Sequence, residues 1–222
     1  LVHYLCIMRK LAMEELNRKT VDEFRSSQKI PIVVVLDNVR SMHNVGSIFR
    51  TADAFLLEAI CLCGYTPIPP HRDIHKTALG ATDSVEWKYF TNTREAVLQL
   101  KDSGYGIWAS EQASGSIPLN RVALGEMNTV ESPDFTGSEI EIPGNAIRTK
   151  KPLDGSNGTI GLGKKLAIIF GNEVEGVDEE VLKLCDGSLE IPQLGMKHSL
   201  NISVAAGIVL WHLFHKFTVR DI

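Results

Sequence analysis

Residues 32–52 of the chain read IVVVLDNVRSMHNVGSIFRTA. The segment opens with consecutive apolar residues, mostly β-branched, a pattern typical of a strand buried on both faces of a parallel sheet. The run stops at Asp37 and Asn38, and apolar residues then recur at helical spacing over residues 45–57. This part of the sequence therefore predicts a strand, a polar loop and a helix in succession.

The same alternation continues along most of the chain. Toward the middle, the sequence predicts a strand at residues 59–63, a helix at 93–103 and a strand at 106–109. In the last third it predicts a strand at 166–170, a helix at 178–185, a strand at 188–191 and a long helix at 200–216. Alternation of this kind predicts an α/β protein whose mostly parallel sheet is flanked by helices.

Two segments depart from this alternation. Residues 1–28 are predicted to form an N-terminal helical extension of one or two short helices, and residues 29–222 the main domain. Within that domain, residues 115–163 are rich in Gly, Ser and Pro and are interpreted as an insertion. Its end has the G-x-x-x-x-G-K spacing of a phosphate-binding loop, but Lys165 replaces the Ser or Thr that holds Mg²⁺. The segment also precedes a strand instead of following one, so nucleotide hydrolysis is disfavoured.

The composition limits the class of protein. With 222 residues, of which 44% are hydrophobic and 23% charged, the chain can bury one large core. The net charge of -4 gives no overall basic character, so contact with nucleic acid requires local basic segments. The four cysteines form no CxxC pair and favour a reducing cytoplasm. No apolar run is long enough for a membrane span, and the first residues lack the layout of a signal peptide.

The loop and helix after the first strand carry the first group of functional candidates. Asn44 is a predicted helix cap, and Gly46 permits close approach to the first helical turn. Arg50 follows Asn44 by close to two helical turns, so both side chains are expected on one side of the helix. The planar guanidinium of an arginine can bind two phosphate oxygens at once. A capped helix with a surface arginine is the alternative interpretation of this segment alone.

Two further groups follow predicted strands in the last third. Residues 171–176 form a glycine-bounded turn at the carboxyl end of a strand, the edge at which open α/β sheets bind ligands. The carboxylate of Glu173 in this turn suits a sulfonium, an ammonium or a neighbouring arginine. After the next strand, Ser199 is predicted to cap the last helix, and Asn201 and Ser203 add polar groups to its start. The surrounding apolar residues predict a pocket for a flat heterocycle with polar edges: Ile191, Leu194, Met196 and Leu200.

The three groups have defined spacings. They read Asn44-x-Gly46-x-x-x-Arg50-x-Ala52, Phe170-Gly171-Asn172-Glu173-x-x-Gly176 and Ile191-Pro192-x-x-Gly195-x-x-x-Ser199-Leu200-Asn201-Ile202-Ser203. In this order they resemble the SpoU, or TrmH-like, family of SPOUT RNA methyltransferases, over about residues 30–112 and 164–216. The resemblance implies an α/β knot with a deep C-terminal trefoil knot, and a homodimer. It also implies methyl transfer from S-adenosylmethionine (AdoMet) to a ribose 2′-hydroxyl of tRNA or rRNA, without a metal.

The resemblance also implies roles for individual residues. Arg50 is the implied catalytic arginine, Asn44 holds it or the ribose, and Glu173, Ser199 and Asn201 complete the acceptor side. Because a guanidinium group does not readily give up its proton, we expect Arg50 to orient the 2′-hydroxyl and stabilise charge instead of acting as a free base. The implied cofactor residues are Phe170, Gly171, Asn172, Gly176, Ile191, Pro192, Gly195, Met196, Ser199 and Leu200. Gln193, where the family often has methionine, and the position of Met196 depart from the family pattern.

Candidate RNA contacts come from the basic segments. They are Arg9, Lys10, Arg40, Arg72, Lys76, Arg148, Lys150 and Lys151. His71 and His75 have a spacing found in metal sites, but no third ligand is evident, so a surface or RNA-facing segment is the favoured interpretation.

Two alternatives to a methyltransferase stay open at this point. One is a catalytically inactive RNA-binding module of the same fold, against which the intact Asn44, Arg50, Glu173, Ser199 and Asn201 argue. The other is an α/β enzyme with a different nucleotide cofactor, and the missing G-x-G-x-x-G motif argues against a dinucleotide.

Overall fold

The computed structural model describes the backbone of residues 9–123, 140–142, 145–147 and 160–218. The strands in these ranges are β1 (Ile30–Asp37), β2 (Leu57–Cys63), β3 (Glu86–Phe90), β4 (Gly106–Ser110), β5 (Ile117–Pro118), β6 (Val122–Ala123), β7 (Ile140–Ile142), β8 (Asn145–Ile147), β9 (Ile160–Gly161), β10 (Leu166–Phe170) and β11 (Gly187–Glu190). The α-helices are α1 (Val21–Ser26), α2 (Met42–Ala54), α3 (Arg72–Ala78), α4 (Ala81–Ser84), α5 (Thr93–Asp102), α6 (Glu179–Leu182) and α7 (Ile202–Thr218). Short 3-10 helices lie at Met13–Leu16 and Leu119–Arg121.

Seven strands form one parallel sheet in the order β3-β2-β1-β10-β4-β11-β5. The prediction of an α/β protein with a parallel sheet is therefore confirmed. Strands β10 and β11, from the last third of the chain, are interleaved with strands from the first half, because β10 pairs with both β1 and β4. The trefoil knot that the family resemblance implies stays a prediction.

Strand β1 lies at the centre of the sheet and is buried on both faces, as its composition predicts. Ile32, Val34 and Leu36 join the core on the face covered by α2 and α7. Val33 and Val35 join the opposite core, against α5 and α6. Each such side chain contributes roughly 1.5–3 kcal/mol when it is fully buried, so this run is a main determinant of the fold.

Helices α3 and α4 and strand β3 were not predicted from the sequence. Strand β3 is at the edge of the sheet, where three of its five residues are exposed, so it lacks the apolar run that marks a central strand. Helix α3 has only seven residues and follows Pro69 and Pro70 closely. Both elements take their position from packing on α2 and β2 instead of from a strong local pattern.

The two segments outside the predicted alternation are partly described. In the N-terminal extension, the 3-10 helix and α1 are separated by residues 17–20, and Phe24 of α1 is buried in the core. In the predicted insertion, β5 is the edge strand of the main sheet beside β11, while β6 pairs with β9 and β7 with β8. Residues 117–118 are therefore part of the sheet, although the sequence analysis assigned them to the insertion.

Because the strands of the main sheet are parallel, their carboxyl ends lie at one edge. The loops after β1, β4, β10 and β11 begin there, so the topology brings together segments that are far apart in sequence. The cysteines Cys61 and Cys63 are free and buried in β2, where burial raises the pKa of Cys61 to about 11. In the described ranges, none of the helices combines the length and apolar character needed to cross a membrane.

Candidate functional site

A cavity of about 460 Å³ lies at the carboxyl edge of the sheet. Its walls are the loop after β10, the loop after β11 with the start of α7, and the residues that follow β4. This is the place where open α/β sheets bind ligands, and the volume is within the usual range for a small-molecule site. We refer to it as the edge pocket.

The loop after β10 is folded tightly onto itself. Asn172 and Gly176 exchange backbone hydrogen bonds of 2.8 and 2.9 Å. A Cβ atom on Gly171 would lie 2.1 Å from the carbonyl carbon of Gly176, and Gly176 itself has a φ of +75°. Only glycine suits these two positions, because one has no room for a side chain and the other has a left-handed backbone.

The side chain of Asn172 connects this loop to its surroundings. Its Oδ1 accepts hydrogen bonds from the backbone nitrogens of Val174 and Glu175, at 2.8 and 3.1 Å. Its Nδ2 donates to the carbonyl of Asn38 and to the hydroxyl of Tyr65, both at 2.9 Å. Asn172 is buried and uses both ends of its amide, so it acts as a structural support of the loop.

Glu173 joins the loop after β10 to the start of α2. Its carboxylate accepts hydrogen bonds from the backbone nitrogens of Arg40 and Ser41, each at 2.9 Å, and from Asn44 Nδ2 at 3.1 Å. Burial by itself would raise the pKa of Glu173, but these hydrogen bonds lower the pKa below its ordinary value. The neighbouring arginine that the sequence suggested as a partner of Glu173 is Arg40, but it contacts Glu173 through its backbone nitrogen and not through its guanidinium.

The three predicted groups of residues meet through Asn44. Its Nδ2 donates to Glu173, and its Oδ1 accepts a hydrogen bond of 3.2 Å from Asn201 Nδ2 at the start of α7. The sequence separation of these partners is large, so the contact depends on the fold. The structure thus brings Asn44, Glu173 and Asn201 together beside the edge pocket.

Both predicted helix caps are wrong. Helix α2 begins earlier than predicted, and Ser41 caps it by accepting a hydrogen bond from the backbone nitrogen of Asn44 at 3.3 Å. Helix α7 begins later than predicted, and Asn201 Oδ1 accepts from the backbone nitrogen of Ser203 at 2.9 Å, which leaves Ser199 in the preceding loop. Because Ser41 satisfies the helix end, the amide of Asn44 is available for Glu173 and Asn201.

Arg50 lies away from the edge pocket of its own chain. It is exposed on α2 and lines a second cavity, of about 520 Å³, together with Phe55, Lys76 and Gly207. Its side chain makes no hydrogen bond or ion pair with another residue in the described ranges. Asn44 and Arg50 therefore do not share one cleft within a single protomer.

The predicted cofactor residues divide into two sets. Those that line the edge pocket are Phe170, Gly171, Asn172, Gly176, Ile191, Ser199 and Leu200. Pro192, Gly195 and Met196 do not line it. Leu194 and Met196 are 75% and 86% exposed, so the prediction that they form an apolar wall is wrong. Residues 193–200 form an open loop that directs these side chains to solvent.

Glu111 and Gln112 are among the pocket residues that were not predicted from the sequence. They follow β4 directly at the carboxyl edge, and that position relative to a predicted strand was the information that could have identified them. Glu111 adds to the acidic character of the pocket, which is also lined by Glu173, Glu175 and Glu190. No Lys, Arg or His is among the described lining residues, so the pocket favours a cation over a phosphate.

The candidate RNA contacts lie on several surfaces. Arg9, Lys10, Arg40 and Arg72 are exposed, and Arg9 forms an ion pair of 2.6 Å with Glu15. Lys76 on α3 forms one of 2.6 Å with Asp73. Arg148, Lys150 and Lys151 lie outside the described residues.

His71 of the α3 segment has a structural role in this structure. His71 Nδ1 accepts a hydrogen bond from the backbone nitrogen of Asp73 at 3.2 Å and so caps α3. In the part of the chain that the structure describes, no three His, Cys, Asp or Glu side chains are grouped closely enough to hold a metal ion.

Comparison with known proteins gives consistent results. The family model of the SpoU rRNA Methylase family matches residues 31–211. The tRNA (guanosine(18)-2'-O)-methyltransferase of Thermus thermophilus is 28% identical over 198 residues, which are 89% of this chain and 81% of that protein.

Two solved structures have the same fold. The AdoMet-bound rRNA methyltransferase from Sinorhizobium meliloti has a TM-score of 0.63 and 24% identity, covering 89% of this chain and 61% of that one. The A. aeolicus TrmH/SpoU tRNA modifying enzyme also has a TM-score of 0.63, with 23% identity over 88% of this chain and 80% of that one.

Proposed function

The chain belongs to the SpoU rRNA Methylase family, and on this premise we propose that it is an AdoMet-dependent RNA methyltransferase acting on a ribose 2′-hydroxyl of tRNA or rRNA. The observation that carries the proposal is the contact of all three predicted groups beside one pocket, through Glu173, Asn44 and Asn201. A ligand in the edge pocket would thus lie next to a polar network that can receive a second substrate. The relative from T. thermophilus, named for 2′-O-methylation of a tRNA guanosine, supports the same reaction.

The edge pocket fits AdoMet better than a phosphate-bearing cofactor. Its lining carboxylates attract the sulfonium and ammonium of AdoMet, whereas they repel the phosphates of ATP or NAD. The backbone of the tight loop after β10 and the apolar side chains of Phe170, Ile191 and Leu200 suit an adenosine. When bound, AdoMet supplies a methyl group on a positively charged sulfur, which is a good leaving group.

In this proposal, the residues of the chain position the acceptor nucleotide. Glu173 fixes the amide of Asn44, and Asn44 and Asn201 would hold the ribose of the acceptor nucleotide. The guanidinium of Arg50 would orient the 2′-hydroxyl beside the adjacent phosphate, and the hydroxyl proton would pass to water or to that phosphate when the methyl–oxygen bond forms. Alignment of the acceptor oxygen with the methyl group accounts for most of the rate enhancement in such a displacement.

A second copy of the chain completes the site. Val204, Ile208 and Trp211 are 50%, 39% and 53% exposed and lie on one face of α7, which we call the α7 stripe. Trp211 and Phe214 pack on Phe55, which lines the Arg50 cavity with Gly207 of α7. A homodimer formed through the α7 stripe would bury this apolar surface and bring Arg50 of one protomer toward the edge pocket of its partner.

Among the described candidates for RNA phosphate contacts, Arg40 lies just before α2, and Arg72 and Lys76 lie on α3. Thr77 of α3 donates a hydrogen bond of 3.0 Å to the carbonyl of His43, so α3 contacts the first turn of α2, which contains Asn44. The predicted cytoplasmic location agrees with an RNA substrate. It also agrees with the free cysteines in the described residues, because thiols stay reduced in the cytoplasm.

Calorimetry and a transfer assay test the proposal. The purified protein is expected to bind AdoMet and to bind neither NAD nor ATP, because of the acidic lining of the edge pocket. With methyl-labelled AdoMet, total RNA is expected to acquire label as 2′-O-methylribose. AdoMet binding without transfer to any tRNA or rRNA fraction would favour the inactive RNA-binding module, and absence of AdoMet binding would refute the enzyme.

A further inference from the structure

The residues that follow β4 connect the two loops of the edge pocket, although no predicted role includes them. Glu111 reaches the loop after β10, and Gln112 reaches the loop after β11. We call this pair the strap. The contacts of the strap differ from those of the Glu173 network, which lies on the other side of the loop after β10 and joins it to α2.

The carboxylate of Glu111 is held against the loop after β10. Its Oε2 accepts a hydrogen bond of 3.1 Å from the backbone nitrogen of Val177, and its Oε1 accepts one of 2.8 Å from the backbone nitrogen of Gln112. A Cβ atom on Gly176 would lie 2.3 Å from the same Oε2. The glycine at position 176 therefore serves the approach of Glu111 as well as the turn.

The side chain of Gln112 supports the other loop. Its Nε2 donates a hydrogen bond of 3.0 Å to the carbonyl of His198. Within the described residues, this is the one hydrogen bond that residues 193–200 make with another segment. Leu194 and Met196 of this loop are exposed, so apolar packing does not fix its position.

The base of the strap is anchored to the sheet. Ser116 Oγ accepts a hydrogen bond of 2.8 Å from the backbone nitrogen of Ala113 and lies 3.0 Å from the carbonyl of Glu111. The same hydroxyl lies 2.7 Å from Ser188 Oγ in β11. Residues 111–116 thus form a turn that hydrogen bonds fix at both ends. The strap therefore holds both loops of the edge pocket in position relative to the sheet.

We propose that Glu111 and Gln112 are positioning residues that hold the two loops of the edge pocket at the separation that AdoMet requires. The inference rests on the proposed function of the pocket, but the contacts of the strap exist in the chain itself. A loop that is fixed before binding loses less conformational freedom when a ligand binds, so support of this kind contributes directly to affinity.

The charge of Glu111 matters for its contact. A carboxylate can accept from both backbone nitrogens at once, whereas the amide of Gln would direct its NH2 group toward one of these two donors. Hydrogen bonds to a charged group contribute more than neutral ones, so we expect Glu111→Gln to weaken AdoMet binding about tenfold. Gln112→Ala removes a single neutral hydrogen bond, and we expect about a threefold loss.

The test combines calorimetry with hydrogen exchange on the full chain. Glu111→Gln is compared with Glu86→Gln, the same change at an exposed site on edge strand β3. Gln112→Ala is compared with Gln99→Ala, which removes a surface glutamine whose side chain accepts one hydrogen bond from Lys88. We expect the two strap variants to weaken AdoMet binding and the two control variants to bind as the wild type does.

Hydrogen exchange without ligand locates the effect. Glu111→Gln is expected to speed amide exchange over residues 171–177, and Gln112→Ala over residues 193–200. In turnover assays, KM for AdoMet should rise with the dissociation constant, while kcat and KM for RNA stay within about twofold of the wild type. General destabilisation would instead accelerate exchange throughout the sheet.

The outcomes separate the strap from the proposed function. If the wild type binds AdoMet and both strap variants bind it with the same affinity, the inference is overturned and the proposed enzymatic function stands. If the wild type does not bind AdoMet, the proposed function fails, and the exchange measurement alone decides whether the strap holds the loops. If Glu111→Gln does not fold, Gln112→Ala provides the test, because Gln112 is exposed and its side chain makes one hydrogen bond. Unchanged amide exchange over residues 193–200 in Gln112→Ala would then refute the strap.

Discussion

The two ends of helix α2 differ in how completely one chain determines them. Asn44, in the first turn, has both ends of its amide hydrogen-bonded, to Glu173 and to Asn201. Arg50 lies six residues later and is exposed, and its side chain makes no hydrogen bond or ion pair with another described residue. One helix therefore carries a candidate residue that the protomer holds in place and another whose side chain none of the described residues holds.

This difference indicates how the site is divided. The Asn44 end of the helix is fixed within the protomer by hydrogen bonds with the loops after β1 and β10 and with the start of α7. The Arg50 end faces a cavity beside exposed apolar residues of α7, and no described side chain of the protomer binds its guanidinium. In our proposal its partners are the RNA and a second copy of the chain, and the first two predictions test that division.

The largest effect is expected for Arg50→Ala. Loss of the guanidinium should lower turnover on RNA by about 100-fold or more, which is typical when a charge-stabilising group is removed from a site. AdoMet affinity should not change, because Arg50 lies outside the edge pocket. Arg94→Ala, on α5 at the opposite face of the sheet, is the matched control and should retain full turnover. Turnover at the wild-type level in Arg50→Ala would remove this residue from the mechanism.

A smaller but still large effect is expected for Trp211→Glu. A charge in the α7 stripe should prevent dimer formation, because an unpaired carboxylate is costly to bury at an interface. Sedimentation should show a dimer for the wild type and a monomer for the variant, with loss of turnover and retention of AdoMet binding. A wild-type protein that sediments as a monomer and is fully active would contradict the division of the site.

Mixed dimers sharpen the same prediction. When Arg50→Ala and Glu173→Gln chains are produced together, one of the two sites in a mixed dimer contains neither change if Arg50 acts on the partner's pocket. Because Glu173→Gln disturbs the contact that fixes Asn44, we expect it to lower turnover, as Arg50→Ala does, and turnover of the mixed dimer should then exceed that of either variant by itself. If Arg50 acts within its own chain, both sites of the mixed dimer carry a change and no recovery occurs.

The sequence predicted elements better than it predicted the direction of side chains. The apolar run at residues 32–36 and the glycine-bounded turn at 171–176 are local patterns, because burial on both faces and a closed turn each restrict the residue types. The caps at Ser41 and Asn201 were missed since several neighbouring polar residues can all cap a helix, and tertiary contacts decide which one does. The exposure of Met196 and the reach of Glu111 across the pocket depend on loop positions that no local pattern contains.

The smallest expected effect concerns the charge of Glu173. Its pKa is lowered in the folded protein by the hydrogen bonds from Arg40, Ser41 and Asn44, in excess of the opposing effect of burial. A carboxyl group with a lowered folded pKa stabilises the fold above its unfolded pKa of about 4.3, and this contribution is lost as the pH falls through the folded value. Glu173→Gln should therefore unfold at a lower temperature than the wild type at pH 7, and the difference should shrink only below about pH 4. Thermal unfolding of both proteins between pH 7 and 3 measures it. If the difference in unfolding temperature is the same at pH 7 and pH 3, the introduced amide and not the lost charge causes it. The hydrogen bonds that fix Asn44 would then not depend on the ionisation of Glu173.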